Sequence, residues 1–273
     1  MVNKIGRLTD REEKELQQET IAALEIYKSN EKKGTKKIEE LAACKNYFGR
    51  EIVGKTAANS EEKDNLEDLM RGLLDSKIYT KRATALFFFM YFYKKQPEKM
   101  IEIVSEYYDS IKWEAENIMD QFWKDYPQLM KQNMLKWIES EDERKRSLSF
   151  HGLENFSEKD PHFVMEFITK IIDDESLEVQ KKITHTLIQI ARSRPAEVYP
   201  YVQELLKDAD DRRVKTIWVS MKKLANSLKS TNSKEKNGDF VLLTKNTIKD
   251  WRSDKNKKVH IMGDKLYYII KNI

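Results

Sequence analysis

The segment LENFSEKDPHFVMEFITKII, residues 153–172, decides the fold. Leu153 and Phe156 stand about one helical turn apart, ahead of the polar bend Glu158-Lys159-Asp160. Pro161 follows, and Val164, Ile168, Ile171 and Ile172 then return at helical spacing. Proline suits the first turn of a helix, where its missing N–H has no intrahelical acceptor to lose. The segment therefore predicts the end of one amphipathic helix, a tight turn, and a second helix opened by Pro161.

The same arrangement surrounds Pro97, Pro127 and Pro195, at spacings of 30, 34 and 34 residues along the chain. Eight residues before the prolines stand Phe89, Met119, Leu153 and Leu187, and five before stand Phe92, Phe122, Phe156 and Ile190. Three after come Met100, Met130, Val164 and Val198, and seven after come Val104, Met134, Ile168 and Val202. Each unit is thus a helical hairpin with one apolar stripe per helix. A single hairpin cannot bury both its faces, so neighbours must stack. A period near 34 also suits tetratricopeptide repeats, but their small residues at fixed packing positions are missing. The Pro-opened second helix and acidic linkers such as Asp173-Asp174-Glu175 favour HEAT-like units. The expected fold is all-α, a HEAT-like (armadillo-like) α–α superhelix forming one curved solenoid.

Outward from the repeats, residues 1–78 read as an irregular helical cap, residues 79–229 as the repeats, and residues 230–273 as a flexible loop with capping helices. In the cap, helices are expected over Asp10–Ser29, Ile38–Tyr47 and Ser60–Leu74, with Phe48–Lys55 as a glycine-flanked link. Beyond the last proline, Arg212–Leu228 reads as the first helix of a fifth unit. The polar stretch Ser230–Gly238 reads as a mobile insert, followed by helices near Phe240–Trp251 and Lys255–Lys271.

Composition agrees with a globular helical protein. The 28 aromatic residues exclude a disordered chain, and only 8 Gly and 5 Pro leave too few breakers for an all-β one. The longest apolar run, Ala85–Tyr93, is far shorter than the roughly 20 residues that cross a bilayer, so no membrane span is expected. One cysteine, Cys44, excludes an intrachain disulfide. With no apolar leader at the start, this suggests a reducing, cytoplasmic setting. From Lys207 onward, 17 Lys and Arg face 8 Asp and Glu, which leaves the preceding residues net acidic. A basic third of this kind suits a polyanionic partner.

No phosphate-cradling glycine loop and no nucleophile-elbow motif occurs. His151, His162, His185 and His260 lie too far apart for a helical metal pair. No metal and no cofactor are expected. Basic residues recur early in successive first helices: Arg144, Lys145 and Arg146, then Lys181 and Lys182, then Arg212, Arg213 and Lys215. Equivalent positions superpose when repeats stack, so these charges are expected to form a track for a phosphate backbone. Trp113, at the start of another first helix, is open to either a core or a binding role, whereas Trp137 sits on the core stripe.

The run Trp113-Glu114-Ala115-Glu116-Asn117-Ile118-Met119-Asp120-Gln121-Phe122, with Tyr126-Pro127, Leu135–Ser140 and Arg146, resembles the DNA alkylation repair HEAT-like family. The stretch from Ile183 to Val202 does so too, and the likeness covers about residues 80–225. It implies a curved repeat protein that holds duplex DNA on its concave face and excises cationic N-alkylated purines without flipping the base into a pocket. Aromatic side chains and a carboxylate flank the lesion, and an arginine fixes the backbone. The resemblance places Trp113 on the family's first tryptophan. Arg146 falls on its arginine, with a one-residue gap after Trp137. The acid position, four residues after Trp113, holds Asn117, and the later tryptophan position holds His185. Some members without the acid are thought to bind DNA without excising bases, and this sequence is closer to those. Glu114 and Glu116 are the neighbouring candidates for a replacement anion. The expectation is therefore a binder of duplex or branched DNA through Trp113, Arg146, Lys181, Lys182, His185, Arg212 and Arg213. The alternatives are a protein-binding HEAT scaffold and an active 3-methyladenine or 7-methylguanine glycosylase.

Overall fold

The computed structural model describes residues 6–228 and 238–272. No strand occurs among these residues, and the helices fall into two compact units that divide between Gln121 and Phe122. Of the expected insert Ser230–Gly238, residues 230–237 lie outside the described residues, and Gly238 opens a helix.

In the first unit, α1 (Asp10–Ser29) begins at Thr9, whose hydroxyl accepts from the Glu12 N–H while the Glu12 carboxylate accepts from the Thr9 N–H. That reciprocal pair satisfies two of the donors a helix start leaves open. Asn30 both ends α1 and starts α2 (Glu31–Ala42). Its N–H donates to the Ile26 carbonyl at 2.7 Å, and its side chain accepts from the Lys33 N–H at 3.0 Å. That cap moves the second helix upstream of the Ile38–Tyr47 expected from the apolar pattern. Next come α3 (Tyr47–Ala58), α4 (Glu67–Leu74), α5 (Tyr79–Phe92) and α6 (Pro97–Tyr107). Of the expected helix Ser60–Leu74, only its second half is α-helical. The α5 helix packs against α2, α3, α4 and α6. Every residue from Ala83 to Phe89 is consequently buried, which accounts for the long apolar run.

The expected link Phe48–Lys55 is instead part of the helix α3. Its glycines permit close packing rather than break the chain. A Cβ on Gly54 would lie 2.7 Å from the Phe88 backbone nitrogen, and one on Gly49 would lie 2.6 Å from the Cys44 sulfur. Glycine costs roughly 1 kcal/mol against alanine inside a helix, and the tight approach of α3 to α5 offsets it.

The chain continues through α7 (Lys112–Asp125). The second unit then comprises α8 (Pro127–Ile138), α9 (Glu143–Leu148), α10 (Leu153–Ser157), α11 (Pro161–Ile171), α12 (Leu177–Ser193), α13 (Pro195–Lys207), α14 (Asp211–Ser227), α15 (Gly238–Arg252) and α16 (Lys257–Ile270). Pro97, Pro127, Pro161 and Pro195 each open a helix, as the repeat requires. Within this unit the helices form two layers. One runs α8, α11, α13, α15, and the other runs α9 with α10, then α12, α14 and α16. The stripe residues lie inside: Met119, Leu153, Ile168, Leu187, Ile190 and Val202 are fully buried, and Phe122, Phe156, Ile171 and Leu205 nearly so.

One first helix is split. Between α9 and α10, Gly152 takes φ +80°, a left-handed conformation that strains any other residue. The break frees the His151 carbonyl, which accepts a hydrogen bond from the Trp123 indole N–H at 2.8 Å. Trp123 also stacks on Phe156, with ring centroids 4.7 Å apart. Beside them Lys131 pairs with Asp160 at 2.6 Å, and Asp160 in turn caps α11 through the Phe163 N–H at 3.0 Å.

Because Phe156 is only 7 % exposed and stacked on Trp123, Phe156→Ala should lower unfolding stability by about 3–5 kcal/mol. Urea denaturation measures it, and a loss under about 1 kcal/mol would contradict the packing of the stripe.

Candidate functional site

The first unit carries two of the candidate positions, Trp113 and Asn117, at the start of α7. Glu114 is fully buried, and its carboxylate accepts from Arg50 and from the Tyr79 hydroxyl, each at 2.5 Å. Arg50 also donates to the Lys45 carbonyl at 2.9 Å. Burial and the bond to Glu114 raise the Tyr79 hydroxyl pKa. This network fastens the first turn of α7 to α3 and α5. Glu114 is therefore not available as a replacement anion, because it is itself fully buried and both its oxygens are engaged, by Arg50 and by Tyr79. Glu116 is exposed and accepts from the Tyr108 hydroxyl at 2.9 Å.

Trp113 stands 68 % exposed, so its role is not in the core. Asn117, also exposed, donates its amide N–H to the Trp113 carbonyl one turn back, at 2.8 Å. Asp120 continues the stripe. Residues 113, 117 and 120 are four and three apart, so they share one face of the helix. The sequence pattern offers Glu114 and Glu116 as replacement anions but not Asp120, although helical spacing alone identifies it.

The remaining candidates belong to the second unit, where the arginines are engaged with protein groups. Arg146 bonds to Asp174 at 2.6 Å and to the carbonyls of Ser140 and Glu141, both at 2.9 Å. Arg213 makes a two-pronged pair with Asp173, whose carboxyl it holds below the usual range. Arg212 reaches Glu175 at 3.0 Å and the Asp173 carbonyl at 3.2 Å. Three guanidiniums from α9 and α14 thus converge on three carboxylates in the loop between α11 and α12.

A recurring position does exist, but it clamps loops. Arg50, Arg82, Arg146 and Gln180 are each the fourth residue of their helix. Each donates to carbonyls of the loop before that helix: Arg50 to Lys45, Arg82 to Ser76, Arg146 to Ser140, and Gln180 to Asp174. The signal was present in the sequence as a donor at a constant distance from the helix start.

The α12 candidates lie on its outer strip. Lys181 is exposed and pairs with Glu178 at 2.6 Å. Lys182 places its ammonium 3.3 Å from His151 Nε2, and His185 Nε2 meets Glu154 at 2.6 Å. Lys182 and His185 therefore both face the segment around the α9–α10 break, whereas Arg146, Arg212 and Arg213 gather at the Asp173–Glu175 loop. Among the described residues, no three His, Cys, Asp or Glu side chains group to hold a metal ion, and no helix is long and apolar enough to cross a membrane.

The family model described as "DNA alkylation repair enzyme" matches residues 13–224. The chain belongs to the DNA alkylation repair enzyme family. No curated protein matches it. Among solved structures, it is similar to a designed armadillo repeat protein, at 11 % identity over 92 % of this chain and 99 % of that one, with a TM-score of 0.27. A second designed armadillo repeat protein, in complex with the peptide (KR)4, gives 12 % identity over 94 % and 99 %, with a TM-score of 0.29. An engineered protein gives 13 % identity over 97 % and 100 %, with a TM-score of 0.28. Scores this low do not establish a common superposition.

For this DNA alkylation repair family member, the Arg146 clamp has a measurable consequence. Arg146→Ala leaves Asp174, only 7 % exposed, without its guanidinium. Stability should fall by about 3 kcal/mol, as for other broken, largely buried pairs. Unchanged stability would mean that Arg146 contributes nothing to the fold. The more exposed Arg213–Asp173 pair should contribute about 1 kcal/mol or less. Because Asp173 has its pKa lowered by Arg213, this contribution is fully present above about pH 4 and is lost as pH falls through the depressed value. Denaturation curves of wild type and Arg213→Ala should therefore differ at pH 6 and converge at strongly acidic pH. A constant difference across that range would refute the assignment.

Proposed function

We propose that this chain is a DNA-binding member of the DNA alkylation repair family that does not excise bases. The observation that carries the second half is the state of Asn117. Breaking an N-glycosidic bond builds positive charge on the sugar, which needs a preorganised anion beside it. The residue four after Trp113 is a neutral amide turned onto its own helix. Of the adjacent acids, Glu114 is buried against Arg50 and Tyr79, and Glu116 is held by Tyr108.

The DNA half rests on family membership and on the 68 % exposed Trp113, a flat apolar face beside a helix start. The contribution of Arg146, Arg212 and Arg213 to phosphate binding is reduced on this reading. A phosphate must compete with the carboxylates of Asp173, Asp174 and Glu175. On α12, Lys181 likewise pairs with Glu178, whereas Lys182 meets the His151 ring rather than a carboxylate. A second reading, excision by a displaced carboxylate, is favoured by Asp120 on the Trp113–Asn117 face.

Gel shifts with linear, branched and alkylated duplexes test the binding, and release of 7-methylguanine tests the chemistry. Wild type should bind duplex with an affinity that falls as salt rises and should release no base. Asn117→Asp should gain release. Release by wild type that disappears in Asp120→Asn would establish the second reading. If no duplex binds at low salt, the protein-scaffold reading replaces this one.

A further inference from the structure

We propose that the outer face of α14 and α16 is a docking surface for unpaired, single-stranded nucleic acid. On α14, Lys215, Trp218 and Lys222 fall at intervals of three and four residues, and Lys265 and Tyr268 on α16, with Lys271 at its C-terminal cap, fall at intervals of three. Each set occupies one helix face, and the two helices pack together. The faces are joined at Trp218, whose ring lies 5.7 Å from the Lys222 ammonium and 5.8 Å from that of Lys265. One turn beyond Lys265, Tyr268 is 69 % exposed, with the Lys271 ammonium 5.1 Å from its ring.

Charge separates this surface from the arginine cluster. Arg146, Arg212 and Arg213 are matched by three carboxylates. None of the four lysines here is ion-paired among the described residues. From Lys215 to Ser227, and along all of α16, Asp264 is the one carboxylate, and Arg252 engages it at 2.9 Å. The surface therefore attracts an anion without a competing internal partner.

The aromatic rings identify the anion. An acidic peptide would use the ammoniums and have no use for ring faces. Nucleic acid offers phosphates to the lysines and flat bases to Trp218 and Tyr268. Bases in a duplex already stack on each other, so only an unpaired strand can present them. Lysines resting on the rings would then turn to the phosphates as a base takes their place. This shares with the family reading only that the partner is nucleic acid. It requires neither duplex binding nor excision.

The test is titration of wild type, Tyr268→Ala and the Lys222→Gln/Lys265→Gln double variant with a short oligothymidylate, a duplex of equal length and polyglutamate. All three changed side chains lie at the surface, and thermal melts check folding. Tyr268→Ala should weaken oligothymidylate binding about tenfold, as expected for one lost stacking contact, and leave duplex binding unchanged. The lysine variant should reduce the salt slope for the single strand by about 1.4, since each phosphate contact contributes about 0.7. Oligothymidylate binding that is absent at low salt, or indifferent to both variants, overturns the proposal. So does polyglutamate binding of equal strength. Tyr268-dependent oligothymidylate binding without duplex binding would support this inference and defeat the duplex reading.

Discussion

A helical hairpin has two apolar faces and can cover only one of them by its own turn. Everything else in this protein follows from the need to cover the other. In the second unit the solution is two parallel layers, with α11 held between α8 and α13 and α12 between α9–α10 and α14. The stripe residues therefore need to match neighbours across the stack as well as within the hairpin. Where one helix departs from regularity, at Gly152, the exposed carbonyl of His151 has to be satisfied inside the stack, and Trp123 does it. The same indole stacks on Phe156, so one side chain closes both a polar and an apolar gap.

Stacking also creates a polar problem. Each junction brings loop carbonyls and helix starts together, and these groups need partners away from bulk water. The chain meets the need twice over. Asp142, Ser176 and Asp210 cap the first helices of their hairpins. The donor at the fourth residue of several helices then reaches back to the loop before it. The acidic linkers do more than keep the loops soluble. Asp173, Asp174 and Glu175 collect Arg213, Arg146 and Arg212, joining three helices through one loop.

The same scaffolding sets which charged groups are engaged within the protein. Guanidiniums bound within the protein are poor candidates for phosphate, because a ligand must displace a carboxylate already in place. The lysines of α14 and α16 have no such competitor. At α7 the first turn is anchored by a buried ion pair while Trp113, one residue away, stays in solvent. A rigid anchor beside an exposed ring is a sound base for recognition. On the same face Asn117 presents a neutral amide that donates to the Trp113 carbonyl.

Much of this was legible in the sequence because it is local. The prolines, the 3.6-residue stripe and the caps act within one or two turns, so Pro97 to Pro195 predicted the hairpins and the buried residues correctly. Family resemblance likewise needed only the pattern around Trp113 and Pro127. The sequence says less where long-range partners decide. Gly49 and Gly54 read as a link, but the approach of Cys44 and Leu16 to Gly49, and of α5 to Gly54, makes them packing sites in a helix. For Arg146, Arg212 and Arg213 sequence spacing gives the helix positions, and the structure adds carboxylate partners 28 to 40 positions away. Sequence spacing determines which face of a helix a side chain occupies. Only the tertiary structure decides whether a carboxylate waits there, because hydrogen bonds and ion pairs depend on distances of a few ångströms between segments remote in the chain.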